Sequence, residues 1–406
     1  MKHQGEKTLI RSDNRRRRFL SSTSSYAFLA SLRGAIPTGA VLLEMSAAFA
    51  ATEAEKKAKA EHVMLLGTTE SPNRWPNGKL AHEQSNMTGI AELKKFIEEE
   101  SKGKIYVDLQ YGGTLGNQIE MPRKLQQGVL AACHASTQNV AAVAPVWNVI
   151  DFPYHVGPVE NFWRLLFSKR FNDTVRKKSE EQGMIPLCVF PQIRWIQLRK
   201  GLGFSVRTPD QLKGLKVRVT GSRLEQEAFK ILPSNATPVV WGEVYNAMKD
   251  GTVDGIHIGP APVADYNITD VVGTQTDVEF MYNSDAVLVS TGWYRKLPAV
   301  LQGAVMEGAF RAQSLQHDVY EPYLRDQWGI RPNSPADSVY KKLNIDTVYL
   351  TNKERDVWRE YLSYERNKAV FDPLIQRFGK AEYEAVGQIA KEKGSVEKRR
   401  WWKEGA

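Results

Sequence analysis

Two cysteines, Cys133 and Cys188, are all that the 406 residues contain. Two thiols make neither a four-cysteine zinc site nor a disulfide framework for a chain this long, so the fold must rest on an ordinary apolar core. They form one bond or stay free, and free buried thiols are the expected state. Long apolar runs are missing too. No stretch reaches about eighteen uninterrupted apolar residues, which excludes an ordinary membrane-spanning helix. Catalytic signatures are absent as well: there is no G-x-x-x-x-G-K-[ST], no G-x-S-x-G and no H-E-x-x-H. Gly201-Leu202-Gly203 lacks the third glycine of a dinucleotide fingerprint, and Gly113-x-x-Gly116 is a turn. The seven histidines include no i, i+4 pair suited to a metal. Asp254 and Glu243 could form a carboxylate pair, but a structural role is the expected one for each. The expectation is therefore no enzyme, no cofactor and no metal.

What is present is an ordinary globular composition, 42% hydrophobic and 25% charged, on a chain long enough for two domains. The formal charge of +9 resembles a nucleic-acid signal until it is located. Residues 1–50 and 391–406 hold nearly all of the excess, which leaves the body between them close to neutral. A nucleic-acid binder needs its basic residues on a folded face that meets successive phosphates, so no nucleic-acid partner is expected.

Residues 1–50 read as an export signal. Arg15-Arg16-Arg17-Arg18-Phe19-Leu20 precedes a moderately apolar region and then Ala48-Phe49-Ala50-Ala51, whose small side chains suit signal-peptidase cleavage before Ala51. Paired arginines followed by Phe-Leu resemble a twin-arginine signal, although Arg33 and Glu44 interrupt the apolar region. A periplasmic location follows. Residues 391–406, with Arg399-Arg400-Trp401-Trp402, read as a loosely packed, solvated basic tail.

From His62 the pattern alternates. His62–Gly67 reads as a strand, Ile90, Leu93, Phe96 and Ile97 recur at helical spacing, and Ile105, Val107 and Leu109 alternate as a second strand. A third strand is expected at 129–133. A second run begins near Ile185: Thr208, Pro209 and Gln211 read as a capped helix start, 216–219 as a strand, 223–231 as a helix and 253–258 as a strand. From Leu297-Pro298 a long apolar-periodic stretch reaches about Gly329, long enough to link two lobes. This rhythm predicts an α/β fold with mainly parallel sheets and a ligand crevice at the carboxyl ends of their strands.

Several stretches then match a known family in order. They are Gly113-Thr114-Leu115-Gly116-Asn117, Leu125-Gln126-Gln127-Gly128, Asp151-Phe152-Pro153-Tyr154, Leu212-Lys213-Gly214-Leu215-Lys216-Val217-Arg218-Val219, Trp241-Gly242-Glu243-Val244-Tyr245-Asn246-Ala247, Gly251-Thr252-Val253-Asp254-Gly255 and Trp293-Tyr294-Arg295-Lys296-Leu297-Pro298. Over residues 62–391 the chain resembles the solute-binding proteins of TRAP (tripartite ATP-independent periplasmic) transporters. The resemblance implies a two-lobed periplasmic binding protein fold with a ligand cleft between lobes and a long linking helix. Lobe I would take 62–191 with about 280–318, and lobe II 192–279 with about 319–390. It also implies capture of a small organic anion, a carboxylate above all, and delivery to TRAP membrane subunits, which would be the only membrane contact. The competing reading is an exported enzyme on a similar two-lobed fold.

Arg218 matches the family's carboxylate-pairing arginine, and its chemistry agrees. A guanidinium offers a planar donor fork, and a charge between Val217 and Val219 demands a partner, either a ligand or an internal acid. Arg194 matches a second, assisting arginine, and Trp241 an aromatic of the cleft wall. His134 and Ser136, after the third strand, and Gln118, after the early loop, are implied ligand contacts. His257 occupies a further contact position. Ser136, His257 and Ile258 differ from the acidic and amide residues of sugar-acid binders, which argues against a sialic-acid-like ligand.

Overall fold

The computed structural model of the protein describes residues 52–70 and 89–403; the export segment 1–50 lies outside the described residues. The first half contributes β1 (His62–Gly67), β2 (Ile105–Gln110), β3 (Ala132–Ser136) and β4 (Met184–Phe190). The second run contributes β5 (Trp195–Arg199), β6 (Lys216–Val219), β7 (Asn235–Pro238), β8 (Gly255–Ile258) and β9 (Val272–Thr276), followed by β10 (Asp285–Ser290) and β11 (Asp346–Val348).

These strands form a five-stranded sheet, order β2-β1-β3-β10-β4, and a six-stranded sheet, order β11-β9-β5-β8-β6-β7. Each sheet has a parallel part built from consecutive β-α-β units, as the rhythm predicts, with β1 parallel to β2 and β3 and β6 parallel to β7 and β8. Each also contains strands running the other way: β10 is antiparallel to β3 and β4, and β5 to β8 and β9. The mainly parallel expectation is corrected there, because two of the chain's changes of sheet run straight from strand to strand. It passes from β4 to β5 through Pro191–Arg194 and returns from β9 to β10 through Asp277–Ser284. The two crossings pair antiparallel, with an isolated bridge between Ile193 and Tyr282 and hydrogen bonds from Arg194 N to Met281 O (3.1 Å) and Asn283 N to Gln192 O (3.0 Å). β4 and β10 are buried along their whole length, as strands covered on both faces must be.

Cys133 and Cys188 are both free and buried. They oppose Leu288 and Val287 of β10 from either side. Two strand spacings, about 10 Å, separate them, which is beyond disulfide reach.

Four helices position the site: α1 (Ile90–Glu100), α2 (Glu120–Gln126), α3 (Arg223–Ile231) and the 24-residue α4 (Ala299–Pro322). α4 lies across α1, close enough that a Cβ on Gly308 would stand 2.8 Å from Ile97 N. It continues as a π-helical turn, Tyr323–Trp328, which Gly329 ends at φ 82°. There Leu324 and Ile330 meet Trp195, Pro260 and Ala261 of the second sheet's side. One continuous element of roughly 45 Å thus packs on both sheets.

Three expectations are corrected. The 208–212 box forms, with Thr208 N donating to Gln211 Oε1 (3.0 Å), but it starts a single 3₁₀ turn, because Gly214 at φ 81° turns the chain straight into β6. Helices Lys368–Phe378 and Lys380–Gly387, expected with the second lobe, pack on the first sheet's side. Phe371 meets Phe152 at 5.4 Å between ring centroids, and Tyr383 stacks on His155 at 3.8 Å. The basic tail is not loosely packed throughout either: most of it up to Lys403 is exposed, but Trp401 is only 4% exposed.

Trp401 packs against Phe167 and Phe310, and its carbonyl accepts from Asn172 Nδ2 (2.9 Å). Its ring covers the Arg176 guanidinium at 4.5 Å. No acidic side chain pairs with Arg176 among the described residues, and burial pushes its pKa down to about 9. Arg400 binds Glu307 with two nitrogens (2.8 and 2.9 Å). Lys398 pairs with Asp318 in the same way, so two of the tail's charges are tied to α4. Trp401→Ala removes a buried ring and uncovers Arg176, so urea unfolding should show a loss of about 3 kcal/mol.

Candidate functional site

The carboxyl ends of β1, β3, β6 and β8 and the two crossings converge on a cavity of about 40 Å³. Glu70, Gln118, Ser136 and Asn139 wall it from the first sheet's side. Arg218, Thr220, Trp241, Ile258, Pro262 and Tyr266 face them from the second's, and Gln192, Arg194, Asn283 and Asp285 come from the crossings and the start of β10. The two sides touch across it. Tyr266 donates its hydroxyl to Thr69 O (2.6 Å), and Thr220 Oγ1 reaches Gln138 Oε1 (2.8 Å). This is a closed cleft.

Arg218 reaches the cavity from β6, where strand alternation buries Val217 and Val219 in the core. It is 4% exposed. Its Nε donates to Val239 O (2.9 Å), and its guanidinium lies 5.7 Å from the Trp241 ring. No side-chain acid binds it among the described residues, and burial pushes its pKa down to about 10. Its two terminal nitrogens are the site's uncommitted cationic donors.

Arg194 also lines the cavity, but its charge is already met. Nη1 donates to Glu225 Oε1 (2.6 Å) and to His257 O (2.5 Å). Glu225 stands in the first turn of α3 and also accepts from Thr220 N (2.6 Å). Burial works against its ionisation, yet Arg194, His257 and Thr220 together hold it well below the usual carboxylate range. Arg194 therefore acts as a brace as much as a contact.

Of the other expected residues, Trp241, Ser136 and Gln118 reach the cavity wall. Gln118 is fully engaged, donating to Thr69 Oγ1 (2.9 Å) and accepting from Ser136 N (3.1 Å) and Asn139 Nδ2 (2.9 Å). His134 and His257 are corrected: both are fully buried behind the wall. His257 alternates with Ile258 along β8, so Ile258 faces the cavity while the imidazole turns to Glu225 (Nδ1 to Oε1, 2.7 Å) and stacks on Phe280. Burial lowers its pKa to about 4, so it is neutral and its Nδ1–H donates. His134 lies one pair deeper along β3 than Ser136, with Nδ1 3.0 Å from Thr68 Oγ1 and Nε2 3.4 Å from Asp285 Oδ1. Burial opposes its protonation, but Asp285 and Glu70 outweigh that and raise its pKa.

Glu70 and Asp285 are residues that sequence reasoning missed. Glu70 is three residues past the end of β1, and the strand-end rule applied to β3 finds it there too. Asp285 opens an otherwise apolar strand, which is itself a signal. Among the described residues, no three His, Cys, Asp or Glu side chains converge in a way that could hold a metal ion.

Removing the Glu225 carboxylate leaves Arg194 as an uncompensated buried charge. Glu225→Ala should therefore cost about 3–5 kcal/mol in equilibrium unfolding.

Similar proteins place the chain in a family. A solute-binding protein of Chromohalobacter salexigens is 23% identical over 253 residues, 62% of this chain and 71% of that protein. The ectoine/5-hydroxyectoine-binding periplasmic protein UehA of Ruegeria pomeroyi is 25% identical over 306 residues, 73% of this chain and 85% of its own. The fold matches a TRAP periplasmic solute-binding protein of Ralstonia eutropha holding (S)-2-acetolactate, with TM-score 0.69 and 21% identity over 81% of this chain and 99% of that one. Residues 77–329 match the family model for bacterial extracellular solute-binding protein, family 7 (DctP), and the chain belongs to that family.

Proposed function

We propose that this protein captures a small organic carboxylate outside the cytoplasm and delivers it to the membrane subunits of a TRAP transporter. The observation that carries the reading is Arg218, a buried guanidinium lining the cavity with no acid paired to it among the described residues. Such a charge is costly to bury, and a ligand carboxylate offsets that cost with two parallel hydrogen bonds. Family relatives support the class of ligand. The Escherichia coli protein YiaO is named for 2,3-diketo-L-gulonate and the Bacillus subtilis protein DctB for C4-dicarboxylates. Solved TRAP binding proteins of the same fold hold galacturonate and glucuronate.

The two sheets, each with its packed helices, act as jaws joined by the paired crossings and α4. Ligand bound to both jaws shifts the population toward the closed form, which is the form the membrane subunits would read. We read the chain as a carrier and not an enzyme. Trp241 and Ser136 complete the contact set, with Gln118 holding Ser136 and Asn139 in place.

Calorimetry against organic acids, including galacturonate, glucuronate and 2,3-diketogulonate, tests this. A bound acid should lose affinity roughly a hundredfold or more in Arg218→Ala, the scale of removing one partner of a buried charge pair. Unchanged affinity in that variant would overturn the anchoring role. Residues 1–50 are read as a signal for the twin-arginine route. N-terminal sequencing of exported protein should find Ala51 first, and export should stop when Arg15–Arg18 are replaced by lysine.

A further inference from the structure

The cavity has two chemically different ends. At the second sheet's end, the electrostatic neighbours of Arg218 are Glu225 and Arg194. At the first sheet's end stands Glu70, 7% exposed and walling the cavity. Its backbone is tied down, with N donating to Thr68 Oγ1 (3.0 Å) and O accepting from Gly112 N (2.8 Å). Its carboxyl has no hydrogen-bond or ion-pair partner among the described residues, whereas every other acid around the cavity has one. Asp285 accepts from Gln192 Nε2 and lies beside His134, and Glu225 is bound by Arg194, His257 and Thr220.

A charge count decides what the site can accept. Arg194 and Glu225 cancel, and Arg218 adds one positive charge. Glu70 and Asp285 each add a negative one when ionised, offset by at most one positive charge on His134. Counted over the described residues, the ionised cavity is therefore neutral at best, and an ionised Glu70 opposes a bound monoanion. A ligand bound to Arg218 also closes the jaws on Glu70, which places new negative charge in the same dry space. A proton taken up by the site relieves that repulsion, as would a cationic group on the ligand.

Resting on the reading of an organic-acid carrier, we propose that Glu70 is the second recognition group and that it binds the ligand in its protonated form, so that a hydroxy or oxo monocarboxylate enters together with one proton. The neutral carboxyl then offers one O–H donor and one acceptor, which suits a hydroxyl or keto oxygen at the end of the ligand distant from Arg218. Glu70 is poised for this: burial pushes its pKa up to about 7, with His134 pulling it down and Asp285 pushing it up. Among the described residues those two are the charged groups facing it, His134 from β3 and Asp285 from β10. The sign follows from linkage. Free Glu70 is mostly ionised above neutrality and bound Glu70 is protonated, so proton uptake grows with pH above about 7 and affinity falls with it, by at most about tenfold per pH unit. Below about pH 6 the free carboxyl is already protonated and the effect vanishes.

The test is calorimetry with galacturonate, glucuronate and D-erythronate, in two buffers of different ionisation enthalpy, at about pH 6 and about pH 8. The wild-type protein should take up close to one proton per ligand at the higher pH and little at the lower. Glu70→Gln, which has the shape of the protonated acid, should bind with no buffer-dependent heat and a flat pH profile. Wild-type binding with no proton uptake at about pH 8 overturns the proposal and leaves the carrier reading intact. So does uptake that survives in Glu70→Gln, or preferred binding of ectoine without uptake, since ectoine brings its own positive charge. If none of the acids binds at either pH, the carrier reading falls and this inference falls with it.

Discussion

One buried carboxylate serves two buried guanidiniums, and the site depends on that shortage. Glu225 acts electrostatically on both Arg194 and Arg218, and its hydrogen bonds go to Arg194, His257 and Thr220. It therefore ties a crossing, β8 and the end of β6 into one rigid wall. Because it binds only Arg194 directly, Arg218 is left with positive charge to spare. A second acid beside Arg218 would make the wall more stable and the cavity useless for anions. Stability and function diverge at this point, and the chain carries the cost of an unpaired buried charge in the empty protein.

The paired crossings make closure inexpensive in conformational terms. Pro191–Arg194 and Asp277–Ser284 run side by side, so both jaws are tethered at one edge. Arg194, Asn283 and Asp285 lie at that edge and also line the cavity. A ligand touching them sits at the pivot, where a small displacement is amplified across each sheet. The π-helical turn at Tyr323–Trp328 lies where α4 passes from one sheet's side to the other's, a place where local slack in a long helix is useful.

Much of the fold was legible because local chemistry and tertiary need agree. His62–Gly67, Lys216–Val219 and Arg223–Ile231 are all where apolar period and capping residues place them. Arg218 was legible for a related reason: a charge alone between two valines must find a partner. The antiparallel insertions were hidden, because the residue pattern of β5 and β10 is the same whichever way they run. His257 was misread because one step along a strand exchanges wall for core, and only the register reveals which side is which. Glu70 was hidden by a strand reading that stopped at Gly67. The tail misled through its charge: a basic, aromatic terminus looks solvated until Glu307 and Arg176 are found beneath it.

The two thiols lie on strands either side of β10, out of solvent and too far apart to bond, and burial raises the pKa of both well above the range in which a thiol reacts. The native chain is therefore chemically silent toward maleimides. A single cysteine introduced at an exposed position on each jaw would become the protein's only reactive pair. Dye or spin labels placed there would report the opening and closing of the cleft directly, with no need to delete the natural cysteines and disturb the core they fill.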